Sequence, residues 1–517
     1  MRTALGLASL VSGAALAQQA QEQPTEDIAV EEVVVTGFRG SLNQALDVKR
    51  EQIGAVDAIV AEDIADFPDL NLAESLQRIP GVSIARDAGE GRTITVRGLS
   101  PEFTRIRLNG MEAMSANGGT DQAGGTNRGR GFDFNTFASE LFNSITVRKT
   151  ASADFEEGSL GATVDLRTGR PFDYDGFTVV TSATAQYNDL ADDVNPRGAF
   201  VISNTWADKT FGALLSVAYT ERNLVDEGSS TVRWSRPTGT IGAATPAQAA
   251  LATQVNNAFV PRIPRYDYYE HDQDRLGVTA SLQFAPSERT RINFDALYAE
   301  FNAERNETFL EFPNFSTDAN GMQVSDAVID NTNSVVYGVF NNVDIRSENR
   351  HDELSTEFKQ FTLDFSHMLS ETVTINGLVG HSEADHDNPI QTTLLFDWNN
   401  IPQFTYDFRG DKRLPVLTVG GADVTSTTNG TAQTGATSTV NSNGWYLSQL
   451  RIRPQQTSNE FKNYQVDADW RPSEILSFKG GLQLKEFEFS SSDKRIDPAF
   501  CNNPALLANA NAETCAA

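Results

Sequence analysis

IPGVSIARDAGEGRTITVRGLSPEFTRIRLNGM, residues Ile79 to Met111, decides the reading of this chain. It resolves into short β-rich units, Val82 to Ala85, Thr93 to Arg97 and Thr104 to Leu108, separated by glycine turns. Asn109-Gly110 closes the last unit, and Asn-Gly accepts the two consecutive positive φ values that a tight hairpin requires. Gly98 follows Arg97 at a strand end, where a side chain is expected to block close backbone approach. Ile145 to Thr168 (ITVRKTASADFEEGSLGATVDLRT) repeats the pattern of strand, glycine-rich turn and strand. Together the two stretches predict a small mixed α/β domain.

Working back toward the N-terminus, Asn71 is the expected cap of a short helix through Leu76 that must stop ahead of Pro80. Glu62-Asp63-Ile64 with Phe67-Pro68 marks a turn, and Ser41 to Glu51 reads as helical. The segment EEVVVTG, Glu31 to Gly37, admits two readings. It is the first strand of the small domain, or an exposed β-prone peptide that adds to a partner's open sheet edge. Gln18 to Val30 is polar and acidic, without apolar periodicity, and reads as disordered. Arg2, the apolar run Ala4 to Leu16 and the A-x-A site Ala15-Leu16-Ala17 define a signal peptide over residues 1–17. Export is therefore expected.

Working forward, Ser115 to Gly131 is a glycine-rich loop that does not fit the phosphate-loop pattern G-x-x-x-x-G-K-[ST]. From Phe177 onward the chain becomes long alternating strands. Leu276, Val278, Ala280, Leu282 and Phe284 alternate with Arg275, Gly277, Thr279, Ser281 and Gln283. Phe361, Leu363 and Phe365, then Tyr464, Val466, Ala468 and Trp470, then Leu476, Phe478, Leu482 and Leu484 continue the pattern. Each run matches the roughly 9–11 residues of a tilted membrane-spanning strand. Tight turns at Ala207-Asp208-Lys209, Pro286-Ser287-Glu288, Leu369-Ser370-Glu371 and Pro472-Ser473-Glu474 alternate with longer connections. Those connections are Asn188 to Pro196, Asn223 to Asp274, Arg305 to Thr356 and His386 to Lys462. Short turns on one side and long loops on the other is the outer-membrane barrel pattern. Aromatics at strand ends (Trp206, Phe211 and Trp470 by tight turns; Tyr187, Tyr219 and Tyr298 toward long loops) fit two interfacial girdles. The count is about nine strands, with a tenth within Gln391 to Asp397. Bacterial single-chain barrels close with an even strand number, and nine or ten strands are too narrow for an internal domain of this size. The expectation is the N-terminal part of a longer protein.

Composition agrees. The 517 residues carry a formal charge of −28, which argues against nucleic acid as a partner. Mean hydropathy is −0.35, unlike an apolar-helix membrane protein. Cys501 and Cys515 are the two cysteines, and one local disulfide is the default in an exported chain.

These residues resemble the TonB-dependent outer-membrane receptors, in particular a subgroup described from alphaproteobacteria and xanthomonads. The resemblance rests on Glu74-Ser75-Leu76, Ile79-Pro80-Gly81-Val82, Thr95-Val96-Arg97-Gly98 and Arg107-Leu108-Asn109-Gly110. It continues through Ile145 to Lys149, Gly158-Ser159-Leu160-Gly161-Ala162 and Val164 to Thr168, where many relatives have glycine in place of Ala162. It implies a leader over residues 18–50, an α/β plug domain over 51–172, and an antiparallel transmembrane β-barrel over 173–517. The barrel is 22-stranded in that family and only partly present here. It implies that Glu32-Val33-Val34-Val35-Thr36 is the box on which TonB and its inner-membrane energising complex pull. The implied place is the outer membrane of a Gram-negative cell, in contact with lipid, with a periplasmic N-terminus. The implied function is proton-motive-force-driven uptake with no enzymatic step and no cofactor. The ligand is expected to be an oligosaccharide, the alternative a ferric siderophore or cobalamin. A passive porin and a barrel-anchored adhesin are the rivals from another class, and neither needs a folded domain ahead of the barrel.

Candidate chemistry is sparse. No G-x-S-x-G, H-E-x-x-H or C-x-x-C is present. His381, Glu383 and Asp385 share one strand face while His386 points the other way; a solvated loop base is the expectation, and no metal site is assigned. Arg128 and Arg130 in the glycine-rich loop could meet an anionic ligand or pair with acidic loops. Trp234, Tyr266, Tyr268, Tyr269, Trp445 and Tyr446 could stack on sugar rings or pack the loops.

Overall fold

The computed structural model describes residues 45–50, 52, 54–60, 71–115, 131–153, 155–420 and 445–496. The signal peptide, the box Glu32 to Thr36, the turn at Glu62 to Phe67, Arg128, Arg130, Cys501 and Cys515 lie outside them. Residues 45–50 are helical. The plug domain comprises β1 (Val56–Val60), α1 (Leu72–Leu76), β2 (Val82–Asp87), β3 (Glu90–Val96), β4 (Thr104–Leu108), β5 (Met111–Glu112), β6 (Phe142–Arg148) and β7 (Ala162–Thr168). Its sheet runs β1-β6-β7-β4-β5, with β4 and β7 parallel, and β2–β3 forms a separate hairpin. Asn71 caps α1, accepting from Ala73 N and Glu74 N, and its amide donates to Gly91 O at 2.6 Å. One side chain thus satisfies the helix start and fastens the helix to the hairpin.

The Asn109-Gly110 turn has φ values of 49° and 87°, as its residue types require. Arg97-Gly98 is a second such turn, with φ values of 55° and 76° and Leu99 N donating to Val96 O at 3.1 Å. A Cβ on Gly98 would meet open space. Glycine is therefore required there by its positive φ, and the expectation of a close backbone approach is corrected.

After the plug come β8 (Thr178–Asn188), β9 (Asp193–Trp206) and β10 (Phe211–Ser230), then β11 (Trp234–Ser235), β12 (Gly242–Ala243), helix α2 (Ala249–Asn257) and β13 (Val260–Pro261). Next are β14 (Arg265–Ser287), β15 (Thr290–Glu311), α3 (Asn314–Thr317), β16 (Gln323–Ile329), β17 (Val335–Asn341), β18 (Val343–Met368) and β19 (Val373–Ile401). Last are β20 (Gln403–Asp407), β21 (Val416–Gly420), β22 (Tyr446–Ile452), β23 (Gln455–Ser473) and β24 (Leu476–Asp493). Nine of these form one antiparallel wall, in the order β24-β23-β19-β18-β15-β14-β10-β9-β8, with β22 added on β19.

All four tight turns are present. Three expectations for this region are corrected. Asn188 to Pro196 is not a long connection, because β8 and β9 pair up to Asn188↔Asp193. Gln391 to Asp397 is not a tenth strand but the outer part of the 29-residue β19. The long connections are also shorter than their sequence pattern suggests, since the strands continue outward with polar residues on both faces, where apolar alternation stops marking them.

What remains of the connections folds together. Strands β12-β16-β17-β20-β21 form a second sheet, and with α2 they enclose a separate core that includes Phe312, Phe315, Phe340, Phe404 and Tyr406. Phe312 and Phe404 stack at 3.7 Å between ring centroids. No one of these loop segments could bury such a core alone, which is why each reads as irregular in isolation.

Candidate functional site: the plug lock and the inner wall

The wall is inverted relative to a soluble sheet. On β14 the polar set Arg275, Thr279, Ser281 and Gln283 is buried, while Leu282 and Phe284 are exposed. The buried face is the one the plug covers. Small wall residues Ala199, Ala218, Ala299 and Ala384 share a core with plug residues Phe137, Leu141 and Phe142. At Gly277 a Cβ would overlap the Leu141 side chain, so a bare backbone admits the plug there.

The plug is fastened at two levels. At the tight-turn end, Arg170 donates to Asp295 at 2.6 Å and Asp364 at 2.8 Å, and Phe172 N donates to Gln283 at 2.7 Å. Further out, the β2–β3 hairpin presents its tip, Ala88 and Gly89 at φ values of 47° and 73°, to three adjacent wall strands. Arg222 donates to Ala88 O at 2.6 Å, Arg275 pairs with Glu90 at 2.5 Å, and Arg305 lies 3.7 Å from Asp87. Burial pushes the Glu90 carboxyl up, but Arg275 and Arg222 outweigh it and hold it below its ordinary value. Glu90 is ionised and locked.

Above the tip, strand register sets out rows of inward side chains. One runs Leu224, His271, Arg305, Asp352, Gln391. The next runs Asp226, Tyr269, Glu307, Arg350, Thr393, Arg451. Arg350 pairs with Asp352 at 2.8 Å, and Arg346 takes both oxygens of Asp397 at 2.7 and 3.0 Å. This wall can hold a charged ligand by guanidinium contacts.

The motif residues are structural ties within the plug. Pro80 O accepts from Lys149 Nζ at 2.6 Å, Gly81 O accepts from Arg97 N at 2.8 Å, and Arg97 donates to Lys149 O at 2.6 Å. Asn109 accepts from Thr168 N at 3.0 Å and bonds Thr168 Oγ1. Gly158 (φ 106°) lies beside Arg105, and Gly161 N donates to Phe103 O at 2.9 Å. At Gly161 a Cβ would crowd Phe103 O at 3.2 Å, while Ala162 fits within β7.

Trp234 and Trp445 pack against the loop-built core, edge-on to Phe408 at 5.2 Å and Trp398 at 5.8 Å. Tyr266 donates to Pro415 O at 2.8 Å and accepts from Leu417 N at 2.9 Å, a loop-packing role. His381, Glu383 and Asp385 share the outward face while His386 is buried, and His381 bonds Glu460 at 3.0 Å. Among the described residues no group of three or more candidate ligands converges on a metal position.

Sequence reading missed Asp87, Glu90, Arg222, Arg275 and Arg305. For Arg222 and Arg275 the signal was parity, since each shares its strand face with serine and threonine.

Residues 48–163 match the TonB-dependent Receptor Plug Domain family. The chain is 33% identical over 172 residues to the ferric enterobactin receptor PirA of Pseudomonas aeruginosa, covering 32% of this chain and 23% of that receptor. It is 32% identical over 125 residues to a ferric enterobactin receptor of the same organism, covering 23% of this chain and 17% of that one. Among solved structures, the siderophore receptor PirA of Acinetobacter baumannii covers 86% of this chain and 78% of its own at 12% identity, with a TM-score of 0.28. The matched segment thus spans less than a quarter of the length of these curated relatives.

Proposed function

We propose that this chain belongs to an outer-membrane receptor that takes up a ferric-siderophore-class ligand, driven from the inner membrane through TonB. The carrying observation is a plug-family domain seated on the polar face of a wall whose other face is an apolar band. That outer band has rows such as Ala213, Leu282, Phe294, Leu363, Val379 and Tyr464. From Phe211 to Tyr219 it extends about 27 Å along the strand, near the height of a lipid-facing band. At its edge the same face turns acidic, with Glu300, Glu357 and Asp385 in the row of Tyr219 and Glu221 and Asp274 in the row beyond.

The oligosaccharide reading loses its main support, because Trp234 and Trp445 serve loop packing. Both curated relatives named above are called ferric enterobactin receptors, which favours an iron chelate. The subgroup suggested by the sequence motifs is not needed for this reading. Val34→Pro in the whole protein tests the coupling, since it removes a backbone donor from the proposed partner strand. Uptake should be lost while ligand binding to cells persists. Uptake at the wild-type rate would refute the coupled reading.

A further inference from the structure

The outward face of the wall has three zones. From the edge of the apolar band, β15 presents Glu300, Asn302, Glu304, Asn306 and Thr308 outward, a polar interval of about 27 Å along the strand. Beyond it the same face is apolar again at Leu310, Ile345 and Trp398, and there the loop-built core covers it. The wall strands thus hold the loop-built domain away from the apolar band by a polar stratum on the face opposite the plug.

That stratum is acidic in a way that folding alone disfavours. Glu221 lies directly opposite Asp274, Asp272 opposite Glu304, Glu304 opposite Glu353, and Glu357 between Glu300 and Asp385. Like charges directly opposite each other on adjacent strands are destabilising. Among the described residues no lysine or arginine pairs with Asp272, Asp274, Glu304 or Glu353. His351 stands 4.0 Å from Glu304 and 3.3 Å from Glu353. Burial, then Glu304, Glu270, Asp193 and Glu221, hold the Asp272 carboxyl above its ordinary value. Asp272, Asp274, Glu304 and Glu353 line a recess of about 470 Å³ that Tyr219 joins to the apolar band.

Place and charge define the occupant. Tyr219 and Leu276 share the row at which the band ends, so the recess opens at the level of the lipid headgroups. Among the described residues no three carboxylates converge on a metal position, so the protein alone does not complete a cation's shell. A hard divalent cation takes one or two carboxylates and fills the rest of its shell with phosphate oxygens and water. We propose that this outward stratum, centred on Asp272, Glu304 and Glu353, docks the phosphorylated sugar headgroup of an outer-leaflet glycolipid through bridging divalent cations. The proposal rests on the outer-membrane placement of the receptor reading, but binding tests it separately from uptake.

Purified whole protein in detergent is mixed with lipopolysaccharide in magnesium or in chelator, and binding is read by comigration and by melting temperature. Binding is expected in magnesium, and should fall by about tenfold or more in chelator or with dephosphorylated lipid. The triple replacement Asp272→Asn, Glu304→Gln and Glu353→Gln should weaken magnesium-dependent binding by about tenfold, and Asp272→Asn alone by less. Neither variant should lower the melting temperature without lipid, because each removes like-charge contacts. The proposal is overturned if lipid binds equally in chelator, if none binds, or if magnesium alone gives the full thermal shift. It is also overturned if the triple variant binds like the wild type, or if Asp272→Asn loses binding and lipid-free stability together. Neither a transported ligand nor TonB takes part, so failure of coupled uptake and failure of headgroup docking give separate signatures.

Discussion

Glu90 of the plug and Arg275 of the wall face each other at 2.5 Å, each side chain only 1% exposed. Their pairing joins the hairpin tip to the wall across 185 residues of sequence. Removing one partner leaves a buried charge uncompensated, so Glu90→Gln or Arg275→Met alone should cost about 3–5 kcal/mol. The double replacement should recover much of that loss, read as thermal unfolding of the detergent-solubilised protein. Because the Glu90 carboxyl sits below its ordinary value of 4.5, its stabilisation is present above that pH. It should be lost only as pH falls further, through the folded-state value.

Gly277 lets Leu141 reach the wall backbone. Gly277→Ala places a methyl group on the Leu141 side chain and should cost about 1–3 kcal/mol by overpacking. In the Leu141→Ala background the same substitution should cost much less. Equal costs in both backgrounds would separate Gly277 from plug seating.

The outward apolar band makes a depth-dependent prediction. Leu363→Arg puts a charge within the band and should cost about 2–4 kcal/mol of membrane folding. Ser355→Arg, on the same face of the same strand but level with Asp274 and Asp387, should be nearly neutral. Heat-modifiable gel migration of the two variants measures the contrast.

Glu311, at the outer end of β15, is pushed up to about 7 by burial and by Glu348, against Arg346 and Arg265. Arg346 lies 3.5 Å from Glu311 but 2.7 Å from Asp397, so Asp397 is its main partner. A raised carboxyl means that the folded state holds more protons than the unfolded state between pH 4.5 and 7. Stability from this group therefore falls as pH rises through that window, by on the order of 3 kcal/mol. Glu311→Gln should flatten the pH dependence of loop-domain melting over this range. An unchanged slope would contradict the assignment.

How much of this was legible in the sequence depends on the range of the interactions. The Asn71 cap, the Asn109-Gly110 turn and the four tight turns are set by neighbours within a few residues, and all could be read directly. The alternation at Leu276 to Phe284 gave the strand. The lock could not be read, because Glu90 and Arg275 acquire meaning only once hairpin and wall are placed together. The loop-built domain was hidden for the same reason. Phe312 and Phe404 stack although 92 residues apart, and nothing local in either loop announces a shared core. At Gly98 the position was identified but not its cause, since a close approach and a positive φ select the same residue.

The most direct measurement is uptake of labelled iron, presented as anionic and uncharged chelates, by cells with and without the gene and with and without a protonophore. Energy-coupled reception predicts gene-dependent accumulation of at least one anionic chelate that stops when the proton-motive force collapses. Gene-dependent entry indifferent to the protonophore would instead show passive diffusion, contradicting the account.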